Sequence, residues 1–491
     1  MIVFYDLETS GLVRGFDQIL QFGAVRTDDN LRELDRFEMR CRLMPHVVPS
    51  PDAMRVTGQR IEDLTDPLRQ SHYQMFAAIR ARLVAWSPAL FVGWNSMRFD
   101  EEFLRQGFYQ TLHPPYLTNT AGNCRADILD VVRAIAALRP ETISVPRTAD
   151  GRPSFRLDAL AAANGIAHDD AHDAMADVMA MLEVSRMVRE RAPDLWAHFL
   201  AFGRKAAVRK FIAREGAFLR LGRPGEPETI AAIGPSSRFP NVTYCLDLKC
   251  DPQELAGLPG DSLAAVLSGP SGLLRKLKTN SAPLLLPLRD APAHLLRGSD
   301  AGALVAKARA MQERPGLVRQ LLDCAEACER IHPPSAHVEG QLYESGFWSD
   351  RDSELLAQFH SSPWEARPSL VRQLADPRLR RLGWRLLFFE RQDLLDDAAR
   401  EVAAKAMALR LLGLRGSNQP WLSVPDALLA LEGGISADDR PADDGLGSYR
   451  ARLAAWLIDS AAVLDEDKSQ ASASRTAAPA SLVEGQPGAL P

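Results

Sequence analysis

The chain opens on four consecutive apolar residues, Ile2-Val3-Phe4-Tyr5, which run directly into two acids one residue apart, Asp6 and Glu8. No other feature constrains the fold as much. So short an apolar run reads as a strand, and on extended backbone residues two apart point to the same side. Both carboxylates can therefore face one cluster of cations at the strand's end.

The first ~190 residues continue as α/β. Ile19–Thr27 and Phe37–Leu43 flank the turn-rich Asp28-Asp29-Asn30, which predicts an antiparallel pair after the first strand. Ala89–Trp94 is another short apolar strand. Helical spacing covers 71–85, 99–108 and 127–138, the last ended by Pro140; 154–163 and 173–188 are the final helices of this part. Farther on, Ala217–Leu221, Thr229–Ile233, Val242–Leu248 and Pro283–Leu288 are strand-like runs broken by Gly and Pro, which predicts a small β domain. Residues 301–331 read as helical, and after Tyr343 the chain is almost wholly helical to about Leu464. Residues 467–491 are Ala, Ser, Pro and Gly with few large apolar side chains, and disorder is expected there. A length of 491 residues fits about three domains.

Two more acids stand where a strand ends or a helix begins. Asp100 opens a helix after the strand at 89–94, and Asp177 lies a turn inside the helix that starts near Asp173. Four carboxylates held together repel one another unless cations sit among them, and carboxylates with water are the ligands Mg²⁺ and Mn²⁺ prefer. Such a site suits in-line attack of water on a phosphodiester, assisted by two metal ions about 4 Å apart. His172, five positions before Asp177, is placed to take the water's proton near neutral pH. The same spacing occurs at His168 and Asp173; the first register is preferred because Asp177 can face the site from within the helix. The simpler reading of acids at helix starts, as partners of the N-terminal dipole, applies to Asp100 and Asp173. Against it stands the joint order of the acids, 92 residues from Glu8 to Asp100 and 77 more to Asp177.

Composition excludes several classes. Hydrophobic residues make up 46% and charged residues 25%, as in ordinary globular proteins. No apolar run approaches the ~20 residues of a membrane span. Met1 leads into the first strand with no basic n-region and no small-residue cleavage site, so no signal peptide is expected. Six cysteines in so long a chain form no disulfide framework, and a reduced cytoplasmic setting is expected. Residues 1–186 carry 20 Lys and Arg against 25 Asp and Glu, a net −5; residues 187–340 carry 21 against 16, a net +5; the remainder is again −5. A basic middle between acidic parts is compatible with a polyanion that one part holds and another processes. Lys205, Arg209 and Lys210 begin that middle and are candidates for a DNA contact. Cys324, Cys328 and His332 share a helical spacing, and Cys245 and Cys250 a strand-like run, but neither set supplies a full metal-ligand group.

Three stretches carry a family resemblance: Phe4-Tyr5-Asp6-Leu7-Glu8-Thr9, Gly93-Trp94-Asn95-Ser96-Met97-Arg98-Phe99-Asp100 and Ala171-His172-Asp173-Ala174-Met175-Ala176-Asp177. They look like the three exonuclease motifs of the DEDD family in its histidine branch. Pro153-Ser154-Phe155-Arg156-Leu157, Ala163-Asn164-Gly165-Ile166, Gln341-Leu342-Tyr343 and Gly346-Phe347-Trp348-Ser349-Asp350 are similar, beyond that core, to the bacterial exodeoxyribonuclease I family. The resemblance implies a ribonuclease H-like exonuclease domain at 1–186, an SH3-like DNA-binding β domain at 193–340 and an all-helical domain at 343–466. It implies 3′→5′ removal of 5′-mononucleotides from single-stranded DNA in repair and recombination, with two Mg²⁺ ions that Mn²⁺ can replace. Asp6, Glu8 and Asp177 would hold metal, Asp100 would complete the acidic set, and His172 would be the base. Glu8 and Arg156 would touch the terminal nucleotide, while Arg105, Tyr116 and Arg133 fall where family members contact the strand. An aromatic that the family places just after the Tyr116 position is replaced here by Leu117-Thr118-Asn119-Thr120. A monomer associated with the nucleoid is expected, with the C-terminal tail of the single-strand DNA-binding protein as partner. The competing readings are a proofreading or RNA-trimming exonuclease of the same branch, which the ~280 additional residues oppose, and a non-catalytic nucleic-acid clamp, which the complete acid and histidine set opposes.

Overall fold

The computed structural model describes residues 1–168, 172–222, 227–269, 272–329, 333–344, 346–413, 419–433 and 445–476, the last eleven by backbone only. His332, from the discounted cysteine group, lies outside them. The described residues sort into two compact units: residues 1–9, 19–41 and 72–347, and residues 10–18, 42–71 and 348 onward.

The first unit is built on a five-stranded sheet of order β3-β2-β1-β4-β5. Its strands are β1 (Ile2–Thr9), β2 (Ile19–Thr27), β3 (Glu33–Arg40), β4 (Leu90–Gly93) and β5 (Cys124–Asp127). The β1–β2–β3 side is antiparallel and the β1–β4–β5 side parallel. Five helices belong to this part: α1 (His72–Ala85), α2 (Asp100–Gln110), α3 (Ile128–Leu138), α4 (Leu157–Ala163) and α5 (Ala174–Arg191).

Strand alternation sorts the core. Val3, Tyr5 and Leu7 share a buried cluster with Phe76 and Ile79 of α1 and Phe103 and Phe108 of α2. Ile2 and Phe4 face the opposite way, into a cluster with Val132 of α3 and Val178 and Met181 of α5. Asp6 and Glu8 continue the Phe4 parity and so lie on the α5 side. Gly23 pairs with Asp6 across β1 and β2, and a Cβ there would come within 2.8 Å of the Ala174 backbone carbon. The missing side chain lets the start of α5 settle against β2, the strand paired with the one that carries the acids.

Some boundaries differ from those read in the sequence. β3 begins at Glu33 and stops at Arg40, because its side chains alternate between half-covered and exposed, an edge-strand pattern without the expected apolar run. β5 is only four residues long and too short to stand out. The helix expected over 154–163 starts at Leu157, with Arg156 at the cap position and no side-chain cap bond. The long helix expected over 301–331 is two, Ala301–Gln312 and Pro315–Ala327, because Pro315 supplies no N–H to continue the first.

The same unit contains a second, antiparallel sheet of order β10-β6-β7-β8-β9. Its strands are β6 (Ala217–Leu221), β7 (Glu228–Pro235), β8 (Val242–Asp247), β9 (Leu274–Lys278) and β10 (Leu284–Pro287). The sequence reading missed β9, Leu-Arg-Lys-Leu-Lys, since a cationic edge strand lacks the apolar texture of its neighbours. The core of α3 and α5 runs without a break into Phe199, Phe218, Leu246 and Leu321, so the two sheets share one interior.

The second unit is helical, with Asp350–Ser361, Arg367–Gln373, Pro377–Glu390, Asp397–Leu412, Val424–Gly433 and a last helix over Leu446–Thr476. The first ten residues of the expected tail thus continue a helix, and 477–491 lie outside the described residues. Two excursions from the N-terminal third belong to this unit: the His46 ring stacks on Phe389 at 5.0 Å, the Phe16 ring lies 5.9 Å from Trp421, and the Tyr449 hydroxyl donates to the Pro49 carbonyl. Among the described residues no helix is long and apolar enough to cross a membrane.

Candidate active site

The acids converge at the C-terminal end of β1. The Leu7 N–H donates toward both the Asp6 and the Asp100 carboxylates, which links β1 to the first turn of α2. Ligand atoms of Glu8, His172 and Asp177 lie within 4.8 Å of one another. Burial, followed by the charges of Asp100, Asp177 and Glu8, holds the Asp6 carboxyl well above the carboxylate range. Glu8 is pushed up to about 8 by burial and by Asp177, Asp100 and Asp173, with Arg40 opposing. Asp100 is likewise pushed up to about 8 by burial, with the charges of Asp127 and Glu101 adding to it. Asp177 is raised by burial, against the pull of His168 and His172.

A cluster of part-buried carboxylates with proton affinities this high lacks positive charge in proportion to its acids. The donor set is oxygen-rich, with one imidazole. It fits a hard divalent cation and offers no thiolate for a softer one.

The two histidine registers separate in space. Asp173 caps α5, accepting from the Met175 N–H at 3.0 Å and the Ala176 N–H at 3.1 Å, and its other oxygen takes bonds from Arg40 at 2.5 Å and Gln21 at 2.9 Å. These partners hold its carboxyl below the ordinary carboxylate range, and its charge still bears on Glu8. Asp177, one turn on, receives the His172 N–H, while the His168 imidazole Nε2 sits 2.5 Å from Asp177 Oδ1. His172 occupies left-handed backbone at φ 71°, a costly conformation for a non-glycine residue that turns the chain into α5. His168 in direct contact with Asp177 is a feature the sequence reading did not contain.

A second unforeseen residue is Asp127. Its buried carboxylate accepts from the Asn95 N–H at 3.0 Å, the Met97 N–H at 3.1 Å and, as the cap of α3, the Leu129 N–H at 3.1 Å. It ties the turn that leads into Asp100 to the end of β5. The cap signal Asp-Ile-Leu was visible in the sequence; the bonds to residues thirty positions earlier were not.

The substrate-side residues fall into two groups. A cavity of about 680 Å³ is lined by Trp94, Arg133, Phe155, Arg156, His172 and Asp177, among others, so Arg133 and Arg156 border the acids. Arg156 is 69% exposed and pairs with Asp158, while the Arg133 guanidinium lies 5.4 Å from the Phe155 ring centre. Arg105 and Tyr116 lie outside this cavity's lining. Arg105 is nearly buried and donates to Glu101 at 2.9 Å, Glu102 at 3.3 Å and the Tyr343 hydroxyl at 3.2 Å. Glu101, next to Asp100, is itself buried and also takes bonds from Arg125 at 2.7 Å, Thr118 at 2.6 Å and the Tyr5 hydroxyl at 3.2 Å. In the basic stretch after α5, Lys205 donates to the Asn241 side chain at 3.0 Å and Arg209 to the Pro240 carbonyl at 2.6 Å.

Comparison with known proteins agrees with this arrangement. The RNase T family model, described as Exonuclease, matches residues 3–185. Exodeoxyribonuclease I of Escherichia coli is 30% identical over 405 residues, 77% of this chain and 83% of that one. Among solved structures, the moderately thermophilic Exonuclease I of Methylocaldum szegediense superposes with a TM-score of 0.82 at 25% identity, covering 94% of this chain and 99% of that one. E. coli Exonuclease I in complex with a dT13 oligonucleotide gives 0.80 at 25% identity with the same coverage. Likeness at this identity over most of a relative's length reaches well beyond the shared nuclease core, and it makes this chain an exodeoxyribonuclease that belongs to the exodeoxyribonuclease I family.

Proposed function

We propose that the chain removes 5′-mononucleotides stepwise from 3′ ends of single-stranded DNA, in repair and recombination. One observation carries the reading: Glu8, His172 and Asp177 converge within 4.8 Å beside the buried carboxylates of Asp6 and Asp100. The E. coli relative solved with dT13 supports the choice of a single DNA strand as substrate. Asp6, Glu8 and Asp177 would hold two Mg²⁺ ions, replaceable by Mn²⁺, with Asp100 completing the charge. Bound there, the ions would lower the pKa of the attacking water and stabilise the departing 3′ oxygen. His172 takes the proton of that water. Glu8 contacts the terminal nucleotide, and Arg156, exposed at the cavity rim, offers its planar fork to a phosphate. Arg133 meets the strand from the same cavity, and Arg105 and Tyr116 meet it from α2 and the turn beyond.

In this reading residues 1–186 do the chemistry, an SH3-like domain at 193–340, built on β6–β10, holds the strand, and 343–466 form the helical domain. The protein acts as a cytoplasmic, nucleoid-associated monomer, recruited by the acidic C-terminal tail of the single-strand DNA-binding protein. The deciding experiment follows mononucleotide release from an oligomer labelled at either end, as DNA and as RNA, with Mg²⁺ and with EDTA. Release from the 3′ end of DNA alone, abolished by EDTA, is expected. Equal or faster release from RNA would place the enzyme among RNA-trimming exonucleases instead.

A further inference from the structure

Strand β5 reaches the acids from two sides. Arg125 and Asp127 are two residues apart on it and so share a face, while Ala126 between them points into the core of α3 and α5. Asp127 holds the turn before Asp100, through the Asn95 and Met97 N–H groups. Arg125 holds the residue after it: one arm of its guanidinium donates to the Glu101 carboxylate at 2.7 Å. Asp100 thus stands between two side chains of one strand. The other arm of Arg125 leaves the nuclease sheet and donates to the Asn280 carbonyl at 3.1 Å. Asn280 lies in the turn between β9 and β10 of the second sheet.

The Arg125 side chain is 5% exposed and that of Glu101 1%, and a buried ion pair is costly unless its hydrogen bonds are in place. The Arg125 Nε is buried without a hydrogen bond, a cost that the two arms have to offset. Charge balance alone does not call for this residue, because Arg105 already donates to the same Glu101 oxygen at 2.9 Å. What Arg125 adds is reach to a second sheet. The turn it meets is itself tethered. The Thr279 N–H and hydroxyl both donate to the Asn241 carbonyl, at 2.7 Å and 3.2 Å. Ala282, at the end of the turn, takes left-handed backbone at φ 46°, which a residue with a side chain adopts only where its surroundings fix it. The Asn280 carbonyl is therefore placed by the second sheet, and Arg125 docks on it.

We propose that Arg125 is a positioning residue for Asp100, and that through it the β9–β10 turn of the second sheet completes the support of the active site. This rests on the metal-assisted nuclease reading above. The second sheet then does more than hold a strand: through one guanidinium it bears on the first turn of α2, and so on where Asp100 stands among Asp6, Glu8 and Asp177. Loss of the bridge shows in cation binding and turnover, and leaves DNA binding as it was. Arginine is needed because its planar fork serves a carboxylate and a carbonyl at once, whereas a lysine ammonium is a point charge on a flexible stem.

The test compares the full-length wild type with Arg125→Lys, which keeps the charge beside Glu101. Mn²⁺ binding is followed by the electron paramagnetic resonance of the free ion, DNA affinity in EDTA, and kcat at saturating single-stranded DNA with Mn²⁺. Arg125→Lys should bind Mn²⁺ about 10- to 100-fold more weakly and turn over more slowly, with the DNA Kd unchanged. In hydrogen exchange, the amides of 99–105 and of the 279–282 turn should both exchange faster, which a role confined to α2 would not produce. If circular dichroism shows that the lysine variant does not fold, Arg125→Gln, which loses both charge and fork, serves the same comparison. Wild-type Mn²⁺ affinity and kcat in the variant, even with a lowered Tm, would make Arg125 purely structural and overturn the proposal. Unchanged exchange at 279–282 would overturn the part played by the second sheet. A wild type that binds no Mn²⁺ would remove the metal-assisted reading itself, and this role with it.

Discussion

Asp6 and Glu8 owe their place to a parity, and Asp177 to a helical turn, so each can be removed without disturbing what lies behind it. Replacing Asp6, Glu8, Asp100 or Asp177 by Ala should abolish nuclease activity. Each substitution also deletes one charge from a crowded, like-charged group whose members hold their protons unusually tightly. The metal-free variants should therefore unfold at temperatures equal to or above that of the wild type, which differential scanning calorimetry in EDTA will show. Near-wild-type turnover in any of the four takes that residue out of the site. His172→Ala should lower turnover by roughly 10²–10⁴ while DNA affinity changes little. His168→Ala is the informative partner, because His168 also touches Asp177. If it proves the more damaging of the two in single-turnover assays, the base has been assigned to the wrong histidine.

Elements are coupled to the site through caps. Asp127 closes α3 and grips the turn before α2, so one carboxylate sets where Asp100 stands relative to β1. Asp127→Ala should cost about 1–2 kcal/mol of stability, as loss of a helix cap does, and should also slow turnover although the residue touches no reacting atom. Asp127→Asn keeps one oxygen to accept the Asn95 and Leu129 N–H groups but sets its NH2 against the Met97 N–H, so it should recover only part of both. Chemical denaturation and kcat measured on the same preparations separate the two effects; an alanine variant with lower stability and unchanged kcat would make the cap purely structural. The Glu101 network has the same logic at the other end of the turn, since a buried carboxylate with four donors fixes the start of α2 from the side away from the acids.

Across the whole molecule the acid cluster should write itself into the pH dependence of stability. Carboxyls whose folded pKa is raised take up protons more readily folded than unfolded. The stability they contribute is therefore fully present below the ordinary carboxylate range, near pH 4, and is lost as pH rises toward the folded values of about 8 at Glu8 and Asp100. Metal-free protein should lose Tm from pH 5 to 8, and Mg²⁺ or Mn²⁺ should restore it increasingly over the same interval. A Tm difference that does not grow with pH would mean the cluster holds no cation. The continuous interior makes a second prediction. Phe199, Phe218 and Leu246 share a core with α3 and α5, so a chain ending at Arg191 should expose that face and unfold without a cooperative transition by circular dichroism. A sharp transition would show that the first ~190 residues stand alone.

Much of this protein is written in short-range pattern. The apolar run into Asp6 and Glu8, the acids at the starts of helices and the turn-broken strands of the middle are local features, because strand parity, helix periodicity and capping act within a few residues. The order of elements and the acid set could be read from them directly. Edge strands β3 and β9 were blurred because half-exposed or cationic strands carry little apolar signal. Other features had no local signature at all. Asp127 bonding to Asn95, His168 reaching Asp177, residues 10–18 and 42–71 belonging with the helical unit, and Arg125 meeting the Asn280 carbonyl across 155 residues are contacts between distant segments. Only packing of the folded chain decides these, since a side chain's partner is set by where other segments come to rest and by which of them bury its neighbours.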